Sequence, residues 1–199
     1  GSESIVSGFL LNNIASLYLD RADPNTKPIN DLDEAVNYYT KALNVFNRNK
    51  YFNPDARYQR ATQTQTMKVA HNITLANIYH NLGLVYRKKK EYHESIYHFG
   101  RAIYLQNNTV GVGFYSHVQA ETYYYLGITY DDQGKYREGL DAYLKASKID
   151  LTIAGKDTWK LEKQVIGHIV YRANQKRYVE ARDYLFNMLH TKINSKSSG

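Results

Sequence analysis

The sequence predicts an all-α array of about four stacked helix pairs, and three observations carry that prediction. Two stretches about 44 residues apart repeat one order of residues, so that Tyr79/Tyr123, Leu82/Leu126, Gly83/Gly127, Tyr86/Tyr130, Tyr92/Tyr136, Phe99/Tyr143 and Ala102/Ala146 coincide. Self-similarity at a fixed period marks stacked supersecondary units rather than one closed core. Apolar and small residues recur at three- and four-residue intervals, the period of a helix face. The three prolines, Pro24, Pro28 and Pro54, fall between the predicted helices, where a missing N–H costs nothing.

Each pair reads as a helix A and an antiparallel helix B. In the first, Leu11, Ile14, Ala15 and Tyr18 mark helix A. Residues 20–30, rich in Asp, Asn and Pro, form a loop. Asp31 then caps a helix B over Leu32–Phe46, with Glu34 three residues on completing a capping pattern, and Leu32, Ala35, Tyr39 and Ala42 face inward. From Arg48 the chain is expected to loop to about Asp55 and to be helical after it. The second pair occupies 76–107, and a loop over Asn107–Gly113 leads to the third, 116–150, whose helix A starts near Ser116. In the fourth, 157–190, Trp159, Leu161, Val165, Ile166 and Ile169 precede Tyr178, Ala181 and Leu185 at looser spacing, as suits a capping repeat. The array thus spans 8–192. It is flanked by an extension over 1–7, with Gly1-Ser2 read as an expression scar, and by a disordered tail over 193–199.

Composition narrows the function classes. Hydrophobic residues at 43% and charged residues at 23% suit a folded domain. No Cys is present, which excludes disulfides, thiolate zinc sites and Cys nucleophiles. No apolar run approaches the ~18 residues of a membrane span, and no basic-then-apolar leader pattern opens the chain. The compartment stays unassigned, with a cytoplasmic setting favoured. The 20 Tyr suit helices that are half exposed, because each ring packs while its hydroxyl reaches water or a partner.

The order Tyr79-x2-Leu82-Gly83-x2-Tyr86, followed by Ser95, Phe99 and Ala102, and its copy from Tyr123, resembles the tetratricopeptide repeat (TPR) family, with Tyr in the Trp slot. The resemblance implies a solenoid of helical hairpins wound as a right-handed superhelix. It also implies that Gly83 and Gly127 let helix B approach helix A. In the family, helix A lines a concave groove. The matching positions are Asn77, His80, Asn81, Leu84 and Arg87, then Glu121, Tyr124, Tyr125, Ile128 and Asp131, with Phe9, Asn12, Ser16 and Leu19 in the first pair. Such a groove suits an extended peptide or a helix, held by aromatic anchors and amide hydrogen bonds. Tyr124 is the expected anchor there, partly exposed, and Tyr130 the expected packed residue. The clamp that some members use for C-terminal carboxylates fails here. Asn81 matches it, but Asn12, Ser16, Glu121 and Tyr125 stand in its other slots, and an acid repels a carboxylate.

The net charge of +7 concentrates at the A–B turns, in Arg87, Lys88, Lys89, Lys90, Lys135, Arg137, Lys176 and Arg177. Stacked along one edge, these residues would form a basic ridge able to attract an acidic surface. Nucleic acid is disfavoured as the main ligand, since the repeat already accounts for the Tyr. His93 and His98 are five apart and lie on different faces of a helix, so no metal site is assigned. Gly111-Val112-Gly113 does not follow a strand and lacks the rest of a phosphate-loop fingerprint. With no Ser nucleophile motif either, neither an enzyme nor a cofactor is expected. The sequence therefore reads as a non-enzymatic scaffold that binds another protein or peptide rather than a small-molecule substrate, with self-association through terminal helices compatible. Two alternatives remain: a regulatory domain switched by a short peptide, and an anion-binding surface on the basic turns.

Overall fold

Burying one apolar face per helix yields six α-helices among the residues that the computed structural model describes, namely 5–22, 28–48, 61–109, 115–154 and Phe186. They are α1 (Ile5–Arg21), α2 (Pro28–Arg48), α3 (Ala61–Lys88), α4 (Tyr92–Asn107), α5 (Tyr115–Asp132) and α6 (Tyr136–Ala154), with no strand among the described residues. The chain divides into two units, Gly1–Gly111 with α1–α4 and Val112–Gly199 with α5 and α6. Within the first unit α1 packs on α2, α2 on α3 and α3 on α4; within the second, α5 packs on α6. The expected fourth pair and the tail lie outside the described residues.

One local expectation is corrected. Helix α2 begins at Pro28, one turn before Asp31. Proline suits a first helical position, because its φ is preset and its missing N–H would have no helical partner. Asp31 therefore sits in the first turn instead of capping it. There it pairs with Arg21 at the end of α1, whose Nε lies 2.9 Å from Oδ2. The guanidinium hydrogen bond holds the Asp31 carboxyl below its usual range. Helix α3 is already helical at Ala61, in keeping with the helix expected after Asp55, and residues 49–60 are outside the described set.

The core of the first unit joins Ala15 and Leu19 of α1, Leu32, Ala35, Tyr39 and Ala42 of α2, and Leu75, Ile78, Leu82 and Val85 of α3. Tyr39 is fully buried, so its hydroxyl needs partners. It shares a 3.0 Å hydrogen bond with Ser16 Oγ of α1 and also interacts with the Asn81 side chain of α3. Burial still pushes its phenol up to about 12.

The A–B hairpins close on their glycines. A Cβ on Gly83 would stand 2.6 Å from the Phe99 ring, and one on Gly127 would stand 2.6 Å from the Tyr143 ring. Both rings are fully or almost fully buried and have nowhere to go. At Gly83 the bare backbone also accepts a 2.8 Å hydrogen bond from Ser95 Oγ across the hairpin. The A–B turns share one hydrogen-bond pattern. Glu91 N–H donates to Tyr86 O and Lys90 N–H to Arg87 O, matched by Lys135 N–H to Tyr130 O and Gly134 N–H to Asp131 O. This is the Schellman termination, which needs a left-handed residue just past the helix. Gly134 supplies it at φ 78°, but Lys90 occupies the same slot at φ 63°.

Two stability changes follow. Gly127→Leu forces Tyr143 out of its slot and is expected to cost roughly 1–3 kcal/mol; an unchanged melting temperature would show that the slot is not tight. Lys90→Gly relieves a Cβ-bearing residue of a left-handed backbone and is expected to raise stability by about 0.5–1 kcal/mol in urea titration. A loss of stability there would contradict the strain.

Candidate protein-binding face

Helices α3 and α5 carry the residues expected to form a binding face. Asn77 and Glu121 are exposed, while Asn81, Leu84 and Tyr125 are partly buried. His80, Tyr124 and Ile128 depart from expectation. They are buried, His80 at 7% and Tyr124 at 6% exposure, and Tyr124 is not an open anchor. The reason lies in helical spacing. His80 and Tyr124 each stand three residues before a slot glycine, on the same side of the helix. Each therefore packs on the ring filling that slot: His80 edge-on to Phe99 at 5.7 Å, Tyr124 tilted on Tyr143 at 5.8 Å. Ile128 joins Tyr124, Tyr143 and Ala146 in the same cluster. The roles expected of Tyr124 and Tyr130 are thus reversed, since Tyr130 is half-buried.

The polar groups nearby are partly committed to the fold. Asn81 reaches the Tyr39 hydroxyl, and Asp131 Oδ2 accepts a 3.0 Å hydrogen bond from Tyr143 Oη. In the first pair Ser16 is bonded to Tyr39 and Leu19 is buried, while exposed Phe9 meets Phe46 edge-on at 5.1 Å. Burial drives the His80 imidazole down to about 4, so near neutral pH it is an uncharged core ring.

The basic ridge is also corrected in its first turn. Lys88 Nζ donates to the carbonyls of Leu19 (3.1 Å) and Ala22 (3.3 Å) at the end of α1, where a cation offsets the helix dipole. Lys89 bridges Asp33 of α2 at 3.0 Å and Glu91 at 2.8 Å and lies over the Tyr86 ring. These two lysines close the fold locally and do not form a free ridge. Arg87 is partly buried, whereas Lys90, Lys135 and Arg137 are exposed; Lys176 and Arg177 lie outside the described residues.

Two ring stacks went unread in the sequence. Tyr18 stacks on Tyr38 at 5.5 Å and 12°, and Tyr86 stacks on His98 at 5.0 Å and 2°. The signal was available in the residue just before the slot ring in each helix B. Equally unread is the outward face of α1, with Val6, Leu10 and Leu17 largely exposed.

Residues 74–152 match the family model described as tetratricopeptide repeat. Those residues form a tetratricopeptide repeat segment. No curated protein matches the chain. Its TPR hairpins place Tyr79 and Tyr123 in the Trp slot, with the Leu82-Gly83 and Leu126-Gly127 steps at the A–B contact. Repeats of this family generally mediate protein–protein interaction without catalysis. No helix among the described residues is long and apolar enough to cross a membrane.

The buried imidazole gives this TPR segment a defined pH response. Unfolded, His80 binds its proton near pH 6.5; folded, it resists until about 4. The stability it confers is complete above about 6.5 and is lost as pH falls toward 4, up to roughly 3 kcal/mol. The melting temperature should therefore drop between pH 7.5 and 4.5, and His80→Leu should make that drop shallower. Equal slopes would place the titration elsewhere.

Proposed function

We propose that this TPR-containing chain is a non-enzymatic scaffold, in which the open stripe of an A helix, taken within its own unit, holds an extended peptide or a helix of another protein. The stripes are Asn77, Asn81 and Leu84 on α3, and Glu121 and Tyr125 on α5. The carrying observation is how each helix divides its residues. His80, Tyr124 and Ile128 are drawn into the hairpin cores, while the neighbours one helical turn apart stay wholly or partly exposed. Each stripe combines a polar group, able to satisfy a peptide backbone, with a Tyr or Leu for packing, which is the chemistry of peptide recognition by helical grooves.

The charge reading is less favoured, because Lys88 and Lys89 already serve carbonyls and carboxylates of their own unit. A partner isolated by affinity capture would be titrated calorimetrically against single variants. Tyr125→Ala should weaken binding by more than about 1 kcal/mol, the cost of losing an aromatic contact, with helicity unchanged. Lys135→Ala and Arg137→Ala should have smaller effects that fade with salt. The reverse ranking would sink the stripe reading in favour of an anion-binding surface.

A further inference from the structure

Three helix pairs present the same two slots, one on helix A and one on helix B, and the third pair leaves the second slot without a ring. The pairs of residues are Tyr18 with Tyr38, Tyr86 with His98, and Tyr130 with Ala142. In the first two the rings stack nearly parallel, at 12° and 2°. In the third a methyl group stands where Tyr38 and His98 place their rings. A cleft of about 360 Å³ opens there, walled by Tyr123 and Tyr130, with Leu126 and Ala142 also lining it. Lys145 lies over the Tyr123 ring at 5.9 Å and is paired to Asp141 at 2.7 Å. Among the described residues no ring stacks on Tyr130.

We propose that this cleft on the α5–α6 pair is a second docking site, which takes one planar side-chain ring of a partner protein, stacked on Tyr130. The chemistry is set by the two filled slots, which hold a phenol and an imidazole against the equivalent Tyr. Stacked rings contribute beyond their buried area, and an aliphatic group lacks that term. The volume is at the low end for ligand pockets and suits one aromatic side chain better than a larger molecule. Arg137 and Lys145 at the rim are matched by Glu138 and Asp141, so the field selects no net charge, and the carboxylates can accept an indole or imidazole N–H. Tyr123, Leu126 and Tyr130 follow one face of α5, about half a turn from Glu121 and Tyr125. The cleft is therefore distinct from the stripe proposed above, and either can fail without the other.

The test is an NMR titration of the whole chain with N-acetyl-tryptophanamide, using N-acetyl-leucinamide as the aliphatic control. The tryptophan probe should shift the Tyr123 and Tyr130 ring signals saturably, with a dissociation constant on the order of 1 mM. The leucine probe should not. Ala142→His supplies the ring that α4 carries at His98 and should weaken the tryptophan probe at least tenfold while circular dichroism stays unchanged. Tyr125→Ala should leave the probe's binding intact. Equal shifts with the leucine probe would overturn the proposal, as would undiminished binding by a folded Ala142→His chain or loss of the probe in Tyr125→Ala. The contrast between probes on the unmodified protein decides the matter even if Ala142→His does not fold.

Discussion

The rest of this structure depends on a ring entering the space left by a glycine. Phe99 over Gly83 and Tyr143 over Gly127 set how closely helices B and A approach. The close approach then dictates what the neighbouring positions do. His80 and Tyr124 are pulled onto the same rings, and Leu82 and Leu126 are buried one residue before the glycines. A tight core leaves little slack, because interiors packed to crystal-like density feel a change of one methyl group. The two hairpins are not chemically identical, however. Ser95 adds a buried hydrogen bond to Gly83 O, while Gly139 holds the equivalent place in α6 and offers none.

Aromatic residues have two uses here. One set is consumed by folding, either filling a slot or packing on the ring that does: Tyr39, Phe99, Tyr124 and Tyr143. The other set lies on outer faces, where it stacks in pairs or under a cation, as Tyr18 does beneath Arg21 and on Tyr38. The abundance of Tyr therefore reflects a fold with much half-buried helix surface. Tyr125 and Tyr130 are among the tyrosines that keep part of the ring open.

Charge follows a similar division of labour. Clustered lysines at the end of α3 suggest an interaction surface, yet Lys88 terminates α1 and Lys89 ties α4's approach to α2 through Asp33 and Glu91. Lys90 is fixed by the geometry of the turn. Residues that look alike in a row thus have three separate physical tasks.

The sequence by itself determined the all-α repeat class, because a helical period, glycine slots and loop-placed prolines are local properties that recur in register. It missed where Pro28 begins a helix earlier than Asp31 suggests. What it could not decide was which side of helix A each residue serves. His80 and Tyr124 are polar-tipped residues at positions that face outward in the family, and their burial depends on how deeply Phe99 and Tyr143 enter the glycine slots. That depth is fixed between helices, not along one. Pairings such as Lys88 with the end of α1, 66 and 69 residues away in sequence, were likewise decided by tertiary packing, since no local pattern reports which distant carbonyl a lysine will reach.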